Sequence, residues 1–259
     1  MTVSTFNGDC LDIMPTIPDG SVDMILTDLP YGTTNNGWDS VVPLDRLWEE
    51  YRRIAKDDAA VVLFSQQPFT TILGASNLRE LRYEWIWEKS HPTGFLNASR
   101  APLKNHENIL VFYRRAPTYN PQFMPTGKRV HQTKGGAKST NYGEFTVMPH
   151  SGTPGMGYPR SIIRFGQWKG GDHPTQKPVE LCEFLIRSYT DEGDTVLDSC
   201  MGSGTTGVAA VRAGRSFIGI EIDPGFYGRA VERISEAERT ERDYMNGQTR
   251  LGRFQEGAS

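Results

Sequence analysis

The stretch Val196-Leu-Asp-Ser-Cys-Met-Gly-Ser-Gly-Thr-Thr-Gly207 decides how this chain folds. A short apolar run, Thr195 to Leu197, reads as a strand; it passes into Gly202-x-Gly204-x-x-Gly207, which opens a helix over Thr205 to Ala213. Glycines at these positions permit a tight turn and let a ligand approach the backbone at the helix N-terminus. The next strand, Ser216 to Ile220, ends at the acid Glu221, placed to accept hydrogen bonds from two ribose hydroxyls. Strand, glycine loop, helix, strand and acid together describe a nucleoside-like cofactor site, and taken alone they also fit the dinucleotide fingerprint of nicotinamide enzymes. Two features weigh against a dinucleotide. The chain from Gly207 to Ser259 is too short for the rest of a doubly wound dinucleotide fold unless the order is permuted. Asp198 sets a carboxylate at the strand's end, where a pyrophosphate is repelled; S-adenosylmethionine, with its amino-acid and sulfonium charges, suits the place better.

Upstream, strands and helices alternate. Val22 to Thr27 is a strand closed by a Gly- and Asn-rich loop, Pro43 to Lys56 has helical spacing, and Ala60 to Phe64 is the next strand. A helix over Pro68 to Leu78 and strands near Tyr83 to Trp87 and Asn108 to Tyr113 follow; after the glycine-loop elements comes a last helix, Pro224 to Arg239. The alternation predicts an α/β fold with a mainly parallel sheet and helices on both faces. Between Arg114 and Trp168 neither period persists, and Pro, Gly, Thr, Asn and bases dominate. A structureless loop of that length is improbable within a domain, so a separate irregular lobe is expected there.

The formal net charge of −3 argues against a simple basic coat protein for nucleic acid. It conceals a partition. Between Lys89 and Lys169 there are 12 Lys+Arg and two acids, a balance of +10; the remainder, 16 bases against 29 acids, carries −13, and the two make up the total. Such asymmetry points to a polyanion-facing segment on an acidic body, the plain alternative being a solvated basic loop. Three separated cysteines (Cys10, Cys182, Cys200) form no CxxC pair and no disulfide framework, and no apolar run is long enough for a membrane span. With no signal-like start, the expectation is a cytoplasmic protein with no membrane partner.

A second motif, Asp28-Leu-Pro-Tyr31, stands where the Val22 to Thr27 strand reaches the sheet edge. Open α/β sheets bind ligands at that edge. The exocyclic amine of a nucleobase is a poor nucleophile, because its lone pair is delocalised into the ring. A site that methylates it needs acceptors for both amino protons, which the Asp28 carboxylate and the Leu29 carbonyl can supply. Pro30 restricts the turn that aims them, and Tyr31 offers a ring on which the base can stack. In isolation Asp-x-Pro-Tyr also fits an ordinary strand-ending turn.

It does not stand in isolation. Gly8-Asp-Cys10, Asp28-Leu-Pro-Tyr31, His173-Pro-Thr-Gln-Lys-Pro178 and Asp198-x-x-x-Gly-Ser-Gly204, in this order, resemble the motifs of the beta-class amino DNA methyltransferases. Softer matches are Trp85-Ile-Trp-Glu-Lys89 and His106-Glu-Asn-Ile-Leu-Val-Phe112, and the resemblance covers roughly Asn7 to Arg233. It implies a Rossmann-like S-adenosylmethionine methyltransferase fold with a seven-stranded sheet and an inserted DNA-recognition lobe. The implied order is a catalytic half (1–113), a target recognition lobe (114–168), a cofactor-binding half (169–245) and a flexible tail (246–259). Carried over by motif, Asp28, Leu29, Pro30 and Tyr31 are the catalytic residues. Asp9, Asp28, Thr175, Lys177, Asp198, Cys200, Gly202, Ser203, Gly204, Thr205, Glu221 and Ile222 bind S-adenosyl-L-methionine. Two departures stand out: the family usually has Pro at Leu29, where only the carbonyl is used, and Pro-Phe at Ser199-Cys200, where an aromatic packs by the donor. Asp at the first tetrapeptide position resembles adenine-N6 enzymes; cytosine-N4 enzymes more often carry Ser.

A duplex base is stacked, so the implied enzyme flips its target into the pocket, and phosphate contacts offset the cost. Arg114, Arg115, Lys128, Arg129, Lys134 and Lys138 are the candidate phosphate contacts, with Tyr119, Phe123 and Tyr142 interleaved. Trp38 either walls the pocket, inserts into the duplex or simply packs under its loop. The histidines show no metal-ligand spacing, and no metal is expected. The reading is a site-specific DNA adenine-N6 methyltransferase acting on double-stranded DNA. Alternatives are a cytosine-N4 methyltransferase, a catalytically silent DNA-binding relative and, more remotely, a nicotinamide oxidoreductase. A homodimer and a cognate restriction endonuclease are both compatible with the resemblance.

Overall fold

A computed structural model describes residues 1–32, 42–125, 137–139, 143–145, 155–166 and 176–245. The chain forms two compact units: Met1–Asn120 with the chain from Ser161 onward, and Pro121–Arg160. In chain order the larger unit begins with β1 (Val3–Asn7), α1 (Cys10–Ile13), β2 (Val22–Asp28), α2 (Leu44–Ile54), β3 (Ala55–Ser65), α3 (Phe69–Ser76), β4 (Leu81–Thr93) and β5 (Lys104–Phe112). The smaller unit holds β6 (Met124–Pro125), β7 (Ala137–Ser139), β8 (Gly143–Phe145) and β9 (Met156–Gly157). The larger unit then resumes with β10 (Ile162–Phe165), α4 (Val179–Tyr189), β11 (Thr195–Asp198), α5 (Thr205–Arg212), β12 (Ser216–Glu221) and α6 (Pro224–Met245).

Among the described residues the main sheet has eight strands in the order β1-β12-β11-β2-β3-β5-β4-β10. Only β5 runs antiparallel to its neighbours. The eighth strand, beyond the seven expected, is β10, which pairs in parallel with Ile86 to Lys89 of β4. It lies in the stretch read from the sequence as irregular, because four residues at a sheet edge carry too few alternations to register as a pattern. At the other end Arg114 to Asn120 also belong to the larger unit.

The helices follow from their apolar spacing. In α2, Leu47, Trp48, Tyr51 and Ile54 recur on one stripe and are buried. They pack on Ile25, Val61, Leu63, Leu110 and Phe112 of β2, β3 and β5. Helices α1, α2 and α3 pack in one layer, and α4, α5 and α6 in another. That division is what right-handed crossovers leaving the sheet centre in opposite directions produce. Gly207 marks how tightly α5 sits: a Cβ there would lie 2.4 Å from Ile234 Cδ1 on α6 and 2.7 Å from the Phe217 ring on β12. In the smaller unit two short antiparallel ladders form, β6 with β9 and β7 with β8, and the Phe123 and Tyr158 rings lie 5.2 Å apart.

Candidate active site

Strand order reverses between β11 and β2. From β11 the chain crosses through α5 to β12 on one side; from β2 it crosses through α2 to β3 on the other. The parallel strands β11 and β2 are direct neighbours, with Val196 beside Met24 and Leu197 beside Ile25. Their carboxyl ends therefore flank a crevice of the kind in which open α/β sheets bind ligands. Asp198 closes β11 and Asp28 closes β2 on its two sides.

On the β11 side the loop is held from within. The Ser199 N–H donates to Thr27 Oγ1 at 3.1 Å, and the Ser199 hydroxyl meets the buried Tyr51 hydroxyl at 2.6 Å. Glu221 receives the Gly202 N–H on one oxygen and the Asp223 N–H on the other, each at 2.8 Å. Gly202 and Gly204 have φ of +52° and +80°, where a side chain is strained. A Cβ on Gly204 would press within 3.0 Å of Ala230, whereas one on Gly202 would enter open space. The Asp198 carboxylate accepts the Cys200 N–H at 3.1 Å, and burial pushes its pKa up to about 7. Burial also raises Glu221. Asp9 caps α1 through the Leu11 N–H at 2.8 Å, and Asn7 donates to the Glu221 carbonyl at 2.7 Å, which draws β1 to this side of the crevice. Ile222 presents an exposed apolar side chain next to Glu221. An open space over Gly202, an acid with acceptor capacity to spare and a second acid facing the crevice fit a nucleoside carrying a cationic amino acid.

The β2 side is more tightly bound than the motif alone suggests. Leu29 is buried in the core cluster and roots the tetrapeptide, so the residue standing in place of Pro is retained by packing. Asp28 has both oxygens engaged: Oδ1 accepts the Tyr31 hydroxyl at 2.6 Å, and Oδ2 receives Lys177 Nζ. One face of the Tyr31 ring stacks on Phe69, with centroids 5.3 Å apart. Lys177 is buried, pairs with Glu107 Oε2 at 3.3 Å and lies 5.1 Å from the Phe64 ring centroid. Burial alone would lower its pKa, but Asp28 and Glu107 carry it above the ordinary lysine value. Glu107 also pairs with Lys89 at 2.5 Å. Burial works to raise Glu107, and the two ammonium groups outweigh it and hold it low.

The structure thus gathers Asp9, Asp28, Lys177, Asp198, Cys200, Gly202, Ser203, Gly204, Thr205 and Glu221 at one edge of the sheet. Lys177 meets Asp28 rather than the glycine loop; its neighbour Gln176 accepts from the Ser203 hydroxyl at 3.3 Å, and Arg233 donates to that hydroxyl at 2.9 Å. Cys200 approaches Cys10, whose thiol contact, together with burial, pushes Cys200 up. Arg114 and Arg115 are not in this group. The Arg114 guanidinium donates to the carbonyls of Ala55 at 2.7 Å and Lys56 at 3.0 Å, and the Arg115 N–H to that of Asp57. Those residues begin β3, where Ala55 stands opposite Val22 while Phe64 stands opposite Asp28, so the rise of β2 puts them roughly 20 Å from the catalytic edge. The Arg114 side chain and the Arg115 backbone thus hold the start of β3 at the far end of the sheet. Lys138 lies on β7, in register with Glu144 of β8. Trp38, Lys128, Arg129, Lys134, Thr175 and the 246–259 tail lie outside the described residues. Glu107, Lys89, Gln176, Arg233 and Phe69 were not singled out from the sequence as site residues. The only sequence signal for the first two was the soft motif around each.

The sequence profile of the DNA methylase family N6_N4_Mtase matches residues 22–232, from the tetrapeptide strand to the last helix. The chain belongs to this family of DNA methylases. Among its relatives, DNA adenine methyltransferase YhdJ of Escherichia coli (strain K12) is 28% identical over 246 residues, covering 89% of this chain and 82% of the relative. Type II methyltransferase M2.MboI of Moraxella bovis is 28% identical over 262 residues, 89% of this chain and 87% of that one. In fold, the methylase superposes on M1.HpyAVI in complex with SAM with a TM-score of 0.62 at 22% identity, covering 90% of this chain and 100% of that one. It superposes on the cytosine-N4-specific PvuII DNA methyltransferase with a TM-score of 0.64 at 16% identity, covering 95% and 94%. The methylase is a DNA methyltransferase with a Rossmann-like α/β fold. Among the described residues no helix is long and apolar enough to cross a membrane.

Proposed function

We propose that the methylase acts on adenine N6 at a short specific site in duplex DNA. The observation that carries this reading is the carboxylate of Asp28 at the crevice, bound by Tyr31 on one oxygen and Lys177 on the other. Each oxygen keeps a lone pair to accept a hydrogen from an incoming amine. The Leu29 carbonyl serves the second amino hydrogen, which turns the nitrogen lone pair outward. Bound S-adenosylmethionine supplies an electrophilic methyl group on a sulfonium, and no metal is needed for its displacement. Asp198, Glu221 and the Gly202 loop would hold that cofactor, with Asp9 and Ile222 beside its adenine. Tyr31, stacked on Phe69 and bonded to Asp28, would stand beside the flipped base. The E. coli relative named as a DNA adenine methyltransferase supports adenine, as does the acid at the first tetrapeptide position.

Methyl transfer from labelled cofactor to plasmid DNA, followed by base analysis, tests the reading. N6-methyladenine is the expected product, and N4-methylcytosine overturns the choice of base. Asp28→Ala should fold and transfer no methyl group; retained transfer removes Asp28 from the mechanism. The basic lobe supplies the phosphate contacts in this reading. Neutralising Lys128, Arg129 and Lys134 should weaken DNA binding and flatten its salt dependence, and unchanged binding would sink that part.

A further inference from the structure

Beside Asp28 a row of alternating charges runs across the sheet from β2 toward β4: Lys177, then Glu107, then Lys89. The side chains of these three are only 9%, 10% and 9% exposed. Buried charges are costly, and well-packed apolar residues usually serve stability at least as well. A row this deep therefore needs a reason beyond folding. Its geometry is built by the antiparallel ladder of β4 and β5. Glu107 stands opposite Trp87, and Lys89, two residues along β4, shares the face of Trp87, so Lys89 and Glu107 form a diagonal cross-strand pair. Lys177 reaches Glu107 from the segment leading into α4.

The flexible stem of a lysine does not fix its ammonium by itself. Around Lys177 Nζ are Asp28 from β2, Glu107 from β5, the Phe64 ring from β3 and the Cys182 thiol from α4, with Asp198 on the opposite wall of the crevice also acting on Asp28 and Cys182. Without Glu107 the ammonium has two acids in the crevice to choose between, and no acid on the β5 side to hold it. We propose that Glu107, anchored by Lys89, is a positioning residue for methyl transfer. It keeps the Lys177 ammonium on Asp28 Oδ2 and thereby sets the angle at which Asp28 receives the target amine. The proposal rests on the reading of Asp28 as the amine acceptor.

Glu107→Gln keeps the shape and removes the charge. In the full-length enzyme with S-adenosylmethionine and plasmid DNA, kcat should fall by about ten- to a hundredfold, the scale of a misplaced reacting group. The dissociation constants of cofactor and DNA should stay within about twofold. The wild-type rate should be flat on the alkaline side, whereas Glu107→Gln should lose rate there as Lys177, opposed by burial and supported by Asp28 alone, gives up its proton. Glu107→Asp should recover part of kcat and the flat profile. A wild-type kcat and pH profile in Glu107→Gln overturns the proposal, as does a defect confined to cofactor affinity. Should Glu107→Gln not fold, Lys89→Gln is read in the same way, since it releases Glu107 from its anchor. If Asp28→Ala remains active, the parent reading fails; if Asp28→Ala is dead while Glu107→Gln keeps its kcat, only the positioning role fails.

Discussion

Replacing Asp198 by Asn isolates the cost of holding a carboxylate at the bottom of the cofactor crevice. Burial raises its pKa from 3.8 to about 7, a little over three units. At about 1.4 kcal/mol per unit, the ionised carboxylate costs the ligand-free native state about 4 kcal/mol at pH 8. The sign follows from which form the fold prefers. A raised native pKa contributes stability below the unfolded value of 3.8, and that contribution is lost as pH climbs through about 7. Asn escapes the cost but accepts less well: Asp198 takes hydrogen bonds from the Cys200 N–H and the Thr206 hydroxyl, and losing one costs about 1 kcal/mol. The variant should therefore be more stable than wild type by roughly 3 kcal/mol at pH 8, about 6–12 °C in Tm for a chain of this size. Near pH 4 it should be slightly less stable. Thermal unfolding without cofactor from pH 4 to 9 measures the difference. Cofactor affinity of the wild type should rise with pH across 7, while that of Asp198→Asn should be weak and flat. A Tm difference that does not change with pH would refute the reasoning.

Gly207→Ala forces a methyl group into contacts of 2.4 Å with Ile234 and 2.7 Å with Phe217, so urea unfolding should show a loss of about 1–3 kcal/mol, and calorimetry a weaker cofactor complex as α5 is displaced. Tyr51→Phe leaves the buried Ser199 hydroxyl without the partner it meets at 2.6 Å; a cost of about 1–2 kcal/mol is expected in denaturant, with DNA affinity unchanged. Arg114→Ala should lower stability by about 1 kcal/mol, since it frees the Ala55 and Lys56 carbonyls, and should leave the salt slope of DNA binding as in wild type. A shallower slope would return Arg114 to the DNA-binding surface.

What the sequence makes legible here is local. β2, α2 and the β11–α5 turn each rest on a few adjacent residues whose apolar period or glycines act over a single turn of chain, and all three stand where expected. β1 escapes notice because Val3–Asn7 is a half-exposed edge strand that gains its place from β12, more than two hundred residues away. β10 escapes because four residues amid Gly and Pro carry too little pattern. The charges beside Asp28 were illegible for another reason. Alternation sets Lys89 on the face of the buried Trp85 and Trp87 and Glu107 on that of Ile109 and Val111, but it names no partner for either charge; only the β4–β5 register together with the approach of Lys177 does. Arg114 illustrates the same limit: its charge suits a phosphate contact, and only the fold shows that its chain position at the close of β5 brings its guanidinium to the carbonyls at the start of β3.

The pairing of β1 with β12 also bears on how the protein is made. A ribosome releases Val3–Asn7 and the Asp28 tetrapeptide long before Glu221, yet Asn7, Gly8 and Glu221 must meet to shape one wall of the crevice. During synthesis β1 therefore waits as an unpaired strand until β12 inserts between it and β11, and that wall of the crevice is the last part of the sheet to close.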